Sequence, residues 1–227
     1  MLSKAIKPFS TALCAGLLLN ALTGCSSQPM QQKANLIEIA PKVSVTIPTP
    51  EDLGYRLTAS QLIGAQWGEP AEQKKQQQQQ LPVQLEVDQN KVALAGFSSW
   101  GARILTLSYQ DQIIEASVLT GLETTLPKPE QVLFNLMITL WPIESWQPHL
   151  AQIGWQLTES NQQRQLFDNK GNLVADIHYQ SNETPVAPAQ TARDPSRSYL
   201  DGTITFSNHQ LGYTITIKTL NHTQQPL

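Results

Sequence analysis

Apolar and polar residues alternate along most of this chain, in short segments separated by turn-forming residues. The clearest segments are 83–87, 105–109, 173–179 and 213–217, where every second residue is apolar. Because successive side chains of a strand point to opposite faces of a sheet, this pattern predicts strands with one apolar face. Asp, Asn and Gly fill the short connections between them, which favours antiparallel hairpins.

Further segments of the same kind raise the predicted number to about ten strands: 55–67, 92–97, 113–118, 155–158, 164–167 and 203–206. That number suffices to form an open antiparallel β-barrel or a strongly curved sheet. The predicted fold class is therefore mainly β, with a smaller helical part.

Two helices are predicted between the two groups of strands. Pro129 suits a first helical turn and Pro142 ends the segment, and apolar residues recur between them at helical spacing: Val132, Leu133, Leu136, Met137, Leu140 and Trp141. Phe134 and Ile138 lie on the opposite side, so this helix must be covered on more than one face or must contact an apolar ligand. A second helix is predicted over 143–153, bent near Pro148, with Trp146 and Leu150 on its buried side. Both helices are predicted to cover one mouth of the sheet.

The N-terminal residues have the features of an export signal. Lys4 and Lys7 precede an apolar run over 11–22 that is too short to span a bilayer. The residues that follow, Leu22-Thr23-Gly24-Cys25, resemble the lipobox of bacterial lipoproteins, which implies acylation of Cys25. Ser26 in place of Asp implies an anchor in the outer membrane, facing the periplasm. The alternative is a chance cysteine in an ordinary signal peptide.

Three regions are expected from these features. Residues 1–24 form the signal peptide, the polar and proline-bearing residues 25–50 form the lipidated N-terminus and a flexible tether, and residues 51–227 form the folded domain.

Composition excludes several kinds of function. The two cysteines are Cys14, in the predicted signal, and Cys25, so the folded domain has no thiol for catalysis or metal binding. The formal net charge is −3 and becomes −5 without residues 1–24, which contain two lysines and no acidic residue. A negative domain argues against nucleic acid as a partner.

No catalytic group is predicted, and we expect a protein that is not an enzyme. Ser98 and Ser99 lack the flanking glycines of a nucleophile elbow. The four histidines are separated widely and have no metal-ligand spacing: His149, His178, His209 and His222. Asp176 and His178 share a strand face and could pair, but a solvated polar face explains them better. No metal or other cofactor is expected.

The order of strands, two helices and strands behind a lipobox resembles the LolA/LolB family of lipoprotein carriers and receptors. It resembles still more closely a bacterial lipoprotein family associated with aryl polyene biosynthesis genes, and the similar segments are 85–90, 96–109, 132–142 and 211–217. The resemblance covers about 53–220 and implies an open β-barrel whose helices form a lid over an apolar cavity. The expected partners are the outer membrane, through lipidated Cys25, an acylated or polyene-lipid cargo, and a periplasmic carrier protein.

Apolar side chains of the sheet and of the first helix are the candidates for the lining of that cavity. Each buried methylene contributes about 0.8 kcal/mol, so a wide apolar lining is needed to compete with a bilayer for an acyl chain. The candidates are Leu105, Leu107, Leu133, Met137, Leu140, Trp141, Ile177, Ile215 and Ile217. The alternative is that they pack on one another as an ordinary core.

The connection 96–101 reads Gly-Phe-Ser-Ser-Trp-Gly and places large aromatic residues, Phe97 and Trp100, where a polar turn is expected. The resemblance implies that this loop inserts an apolar residue into the membrane, and Trp100 occupies that place. The alternative is that Trp100 folds back onto the barrel rim.

Two functions are consistent with these features. The first is an outer-membrane lipoprotein that binds or transfers acylated or lipid cargo in an apolar cavity. The second is a tethered scaffold that binds a protein partner of an envelope assembly and has no lipid cavity.

Overall fold

The computed structural model describes residues 30–33, 35–67, 80–122, 128–160, 162–181 and 199–227. The predicted signal peptide and Cys25 lie outside the described residues. The described chain contains two α-helices, α1 (Pro129–Leu140) and α2 (Ile143–Ala151). It also contains thirteen strands: β1 (Met30–Lys33), β2 (Leu36–Ala40), β3 (Val43–Thr46), β4 (Tyr55–Trp67), β5 (Gln80–Val87), β6 (Lys91–Phe97), β7 (Arg103–Gln110), β8 (Ile113–Val118), β9 (Gln156–Ser160), β10 (Gln163–Phe167), β11 (Leu173–Ser181), β12 (Gly202–Asn208) and β13 (Tyr213–Pro226).

Eleven of the strands in the described chain form one antiparallel sheet, in the order β1-β8-β7-β6-β5-β4-β13-β12-β11-β10-β9. Strands β4 to β8 follow one another as hairpins, and so do β9 to β13. The two halves are joined because β4 pairs with β13, with Tyr55 opposite Pro226 and Trp67 opposite Tyr213. Within the described residues β1 and β9 form the two edges, so the sheet is open. The predicted fold class is confirmed.

One face of the sheet is apolar and covered. Val83, Leu85 and Val87 of β5 are buried, whereas Gln84 and Glu86 between them are exposed. The two predicted helices lie where the sequence places them, although α2 ends at Ala151 and contains Pro148 in its last turn. Trp146 and Leu150 are buried, as predicted for this helix. Among the described residues, neither helix has both the length and the apolar character needed to cross a bilayer.

The prediction that residues 25–50 form a flexible tether is wrong for residues 30–33 and 35–50, since β1 already pairs with β8 of the main sheet. Strands β2 and β3 form a separate antiparallel hairpin, and its inward side chains are buried in the main core: Ile37, Ile39, Val45 and Ile47. The indole Nε1 of Trp141 donates a hydrogen bond of 2.9 Å to the carbonyl oxygen of Thr49. The folded domain therefore includes Met30 and the residues that follow, and the hairpin contacts both helices.

We expect Ile37→Ala to lower the free energy of unfolding by about 2–5 kcal/mol, since it deletes buried methyl groups and leaves a cavity. Its matched control is Leu36→Ala, because Leu36 is the neighbouring residue of the same strand and is exposed. That control is expected to change stability by less than about 0.5 kcal/mol. Urea denaturation measures both variants. Equal stability of the two would indicate that the hairpin is a tether after all.

Candidate functional site

The nine residues predicted to line a cavity are all buried and belong to one apolar cluster. Leu105 and Leu107 lie on β7, Ile177 on β11, and Ile215 and Ile217 on β13. The remaining four lie on or directly after α1: Leu133, Met137, Leu140 and Trp141. The structure therefore brings sheet and helix candidates together on the covered face. That they line a ligand cavity stays a prediction.

Helix α1 is buried along eight consecutive residues, Leu133 to Leu140. It contacts β12 of the main sheet and β2 of the N-terminal hairpin. The ring of Phe134 packs edge-on against Trp146 of α2, with the ring centres 5.6 Å apart. The all-round apolar pattern of α1 thus has a structural cause, because the helix is enclosed between the sheet, the hairpin and α2.

Arg164 of β10 fixes the C-terminal end of α1. Its side chain is 1% exposed, and Nη1 donates hydrogen bonds to the carbonyl oxygens of Ile138 (2.9 Å) and Trp141 (2.7 Å). Nε donates to Oε2 of Glu159 at 2.7 Å, which completes a buried ion pair. The free carbonyls at a helix C-terminus carry partial negative charge, so a guanidinium there satisfies both their hydrogen bonding and their charge.

Aromatic hydroxyls complete this network. The hydroxyl of Tyr179 donates to the carbonyl oxygen of Thr139 at 2.8 Å, and that of Tyr199 donates to Oε1 of Glu159 at 2.7 Å. The guanidinium carbon of Arg164 lies 5.0 Å from the centre of the Tyr199 ring and 5.7 Å from that of Tyr179. The positive charge is therefore held by a carboxylate, carbonyls and two aromatic faces.

The sequence interpretation did not identify Arg164 as a buried residue. A usable signal exists, because Arg164 is two residues before the buried Leu166 and thus shares its face of the strand. An arginine in phase with an inward apolar residue predicts a buried charge with partners.

A second polar group interrupts the apolar interior near the middle of α1. The hydroxyl of Tyr213 donates to Oδ1 of Asn135 at 3.0 Å, and the side chain of Asn208 also lies within hydrogen-bonding reach of it. The side chain of Gln131 is close to the same hydroxyl, but its Nε2 forms no hydrogen bond of acceptable geometry. Burial raises the pKa of Tyr213, and these amides oppose part of the rise. Nδ2 of Asn135 and Nε2 of Gln131 are inaccessible and have no hydrogen-bond partner within the described chain. Two unused donors therefore lie in an otherwise apolar region.

The turn between β6 and β7 presents Trp100 to solvent, with 82% of its surface exposed. The amide of Ser98 donates to the carbonyl of Ala102 (2.8 Å), and Oγ of Ser98 accepts the amide of Ala102 (3.0 Å). Gly101 has a φ of +84°, which favours glycine at that position. Trp100 thus projects from a closed turn and does not fold back onto the rim, while Phe97 is half-buried at the end of β6.

Polar pairs on the outer face fit a solvated surface. Asp176 contacts Nε2 of His178 at 2.7 Å and Nε2 of His209 at 2.6 Å, and both histidines are exposed. His149 lies elsewhere, with Nδ1 2.7 Å from the hydroxyl of Thr46, and burial lowers its pKa. Across the described ranges, no three His, Cys, Asp or Glu side chains converge in a way that could hold a metal ion.

An open antiparallel sheet with one face covered by two helices and a hairpin defines the class of this protein as a mainly β domain with an enclosed apolar interior. Its sequence matches, over residues 58–221, the family described as "Protein of unknown function (DUF3261)". The chain belongs to that family. A search of curated proteins gives no significant match.

Three solved structures are distantly similar to this chain. A LolA superfamily protein from Nitrosomonas europaea is 7% identical, with a TM-score of 0.40 over 79% of this chain and 91% of that one. A putative outer membrane lipoprotein-sorting protein domain from Vibrio parahaemolyticus is 9% identical, with a TM-score of 0.35 over 76% and 86%. A DUF1329 family protein from Desulfovibrio piger is 8% identical, with a TM-score of 0.32 over 78% and 93%.

Replacing Arg164 by methionine is expected to lower the free energy of unfolding by about 3–5 kcal/mol, because Glu159 and the helix carbonyls lose their buried partner. Arg103→Met is the control, since Arg103 is exposed, and its effect is expected to stay within about 0.5 kcal/mol. Urea denaturation followed by circular dichroism measures the difference. An Arg164→Met protein as stable as the control would contradict the assigned role.

Alkaline pH is expected to destabilise the fold through buried tyrosines. Burial raises the pKa of Tyr55 from its ordinary 10.0 to about 12, while the nearby charge of Arg164 acts in the opposite direction. The unfolded chain therefore ionises first, and the stability from neutral Tyr55 is present below pH 10 and lost as the pH rises toward 12. Unfolding by urea at a series of pH values should give a smaller loss for Tyr55→Phe than for the unmodified protein. An identical loss in both would contradict the shift.

Proposed function

We propose that this protein is an outer-membrane-anchored periplasmic lipoprotein that binds or transfers an acylated or polyene-lipid cargo. The cargo's hydrocarbon chain would lie between the apolar face of the sheet and helix α1. The observation that carries the proposal is the meeting of the nine predicted side chains on that one covered face. Anchoring through Cys25 is supported by the lipobox-like sequence, and no catalytic role is proposed.

The buried amides suggest how a cargo head group would be held. Nδ2 of Asn135 and Nε2 of Gln131 are donors without partners inside an apolar region, and such groups cost stability unless an acceptor meets them. A carbonyl or carboxylate oxygen at the end of an acyl chain is an acceptor of the required kind. In this proposal the acyl chain extends from these amides along Met137 and Ile215.

Access to the interior requires movement of the cover. The nine side chains are buried, so an acyl chain enters only if α1 and the hairpin separate from the sheet. The hydrogen bonds of Arg164 hold the C-terminal end of α1 in place. The opposite end of α1, which begins at Pro129, is therefore the end proposed to move.

The direct test is cargo capture. The mature chain with Cys25→Ser, exported by a non-lipoprotein signal, is purified without detergent and studied by native mass spectrometry. A bound acyl lipid, displaced by anthroyloxy-palmitate with a rise in probe fluorescence, is the expected result. A lipid-free protein that does not raise the fluorescence of the probe would end the carrier proposal.

The double variant Tyr213→Phe with Asn135→Leu tests the amide site. It removes both partners of one hydrogen bond, so its stability is expected to stay within about 1 kcal/mol of the unmodified protein. Its affinity for anthroyloxy-palmitate is expected to fall at least about fivefold, equal to about 1 kcal/mol of binding free energy. Unchanged affinity would place the head group elsewhere.

Trp100→Glu tests delivery of cargo to a membrane. Because Trp100 is exposed, the fold and anthroyloxy-palmitate binding are expected to stay unchanged, while transfer of the probe to vesicles is abolished. Ile113→Glu is the control, since Ile113 is an exposed apolar residue at the far end of β8. Transfer by Trp100→Glu at the control rate would remove this turn from the mechanism.

The second candidate is a tethered scaffold without a lipid cavity. The near-complete burial of all nine side chains favours it, because an ordinary core has that property. The same cargo-capture experiment separates the two, since a scaffold binds no acyl chain.

A further inference from the structure

Eight large apolar side chains of the described residues are exposed, and four of them lie at one end of the sheet. These four are Trp67 (46% exposed), Trp100 (82%), Leu119 (52%) and Leu211 (36%). We call these four residues the apolar rim. Scattered exposed apolar residues are ordinary on a protein surface, whereas several at one end of a fold suggest a contact surface.

Strand register places the four residues at the same end. Phe97 pairs with Arg103, so the turn that carries Trp100 closes at the start of β7. The amide of Leu119 donates to the carbonyl of Ile104 at 2.9 Å, which puts Leu119 beside that same start.

The other half of the rim follows from the central strands. Gly64, near the end of β4, pairs with Gln80 at the start of β5. Val83 of β5 in turn pairs with Gly96 near the end of β6, so β4 and β6 end on the same side of the sheet. Trp67 pairs with Tyr213, and the turn that carries Leu211 therefore lies next to Trp67. The rim runs from β8 across the sheet to the β12–β13 turn.

The two ends of this part of the sheet differ in charge. The rim segments 98–103, 119–122 and 208–213 contain no aspartate or glutamate. The turns at the opposite end contain Asp88 and Asp111, and Asp201 precedes β12 there. Elsewhere at the rim end, Asp168 is half-buried and Lys170 is exposed in the β10–β11 turn. The connection 68–79 contains Glu69, Glu72, Lys74 and Lys75, and Glu123 follows segment 119–122, and all of these lie outside the described residues. The described rim segments, which lack acidic residues, suit a bilayer surface better than the aspartate-bearing turns of the opposite end do.

The N-terminal end of β1, five residues after Cys25 in the sequence, lies on the rim side of the sheet. In the pairing of β1 with β8, Lys33 is opposite Ile113 and Met30 is opposite Ala116. Moving from Lys33 toward Met30 thus follows β8 toward Leu119. Cys25 precedes Met30 by five residues, which can span at most about 18 Å.

We propose that the apolar rim rests on the surface of the bilayer that holds the lipid anchor, so that the domain has a fixed orientation on the membrane. This inference rests on the proposed acylation of Cys25. The lipid anchor keeps the rim at a high effective concentration near lipid, so a few side chains suffice to orient the domain. Tryptophan favours this interface because its ring is apolar and its N–H can stay hydrated.

The test measures which end of the domain contacts lipid. Cys25 is the one cysteine of the mature chain and is blocked if acylated, so Leu119→Cys and Leu211→Cys each give a single reactive thiol for an NBD label. Ile113→Cys and Leu227→Cys are matched controls, because these residues are 42% and 48% exposed and lie at the opposite end. Each full mature lipoprotein is reconstituted in phosphatidylethanolamine and phosphatidylglycerol vesicles whose acyl chains carry bromine.

We expect NBD emission at positions 119 and 211 to be quenched by about twofold or more, as for groups in the interface, while positions 113 and 227 keep their emission. Equal quenching at both ends, or none at 119 and 211, overturns the orientation. Mass spectrometry of the same samples separates the two proposals. An acylated chain without rim quenching overturns the orientation alone, whereas a chain without acyl groups overturns both the anchor and this inference.

Discussion

The pairing of β4 with β13 is the interaction on which the rest of the structure depends. Each half of the chain forms a series of hairpins from local turns, but neither half alone covers the two helices between them. The thirteen residue pairs from Tyr55–Pro226 to Trp67–Tyr213 merge both series into one sheet. The apolar faces of the two halves then become continuous, and that shared face must be covered from water.

Helix α1 provides part of that cover, and burying its end has a free-energy cost that polar residues reduce. A helix buried on every side cannot expose its terminal carbonyls to water, so they need partners within the protein. Arg164, Tyr179 and the backbone around them supply these partners. Burying a guanidinium is unfavourable in itself, and Glu159 and the aromatic rings offset that penalty. The C-terminal end of α1 is thereby held in place.

The functions proposed for the covered face and for the apolar rim follow from the different surroundings of these two regions. On the covered face, apolar side chains with two unused amide donors suit a hydrocarbon chain with a polar head. At the rim, exposed aromatic and aliphatic side chains lie in or beside the described segments 98–103, 119–122 and 208–213, which contain no acidic residue.

The sequence by itself determined the local elements, because they depend on side-chain periodicity and turn residues. Alternation predicted ten strands, and Pro129 and Pro142 delimited α1. Tertiary structure decided which elements contact one another, since periodicity carries no information about such contacts. The hairpin of Ile37 and Ile47 was mistaken for a tether because prolines and short strands obscure its pattern, and its burial depends on contact with α1. Arg164 has a helix end as partner only because β10 and α1 meet in space. Strands that are far apart in the chain pair so that their apolar faces are buried together. This long-range pairing determined which residues form the rim and which form the interior.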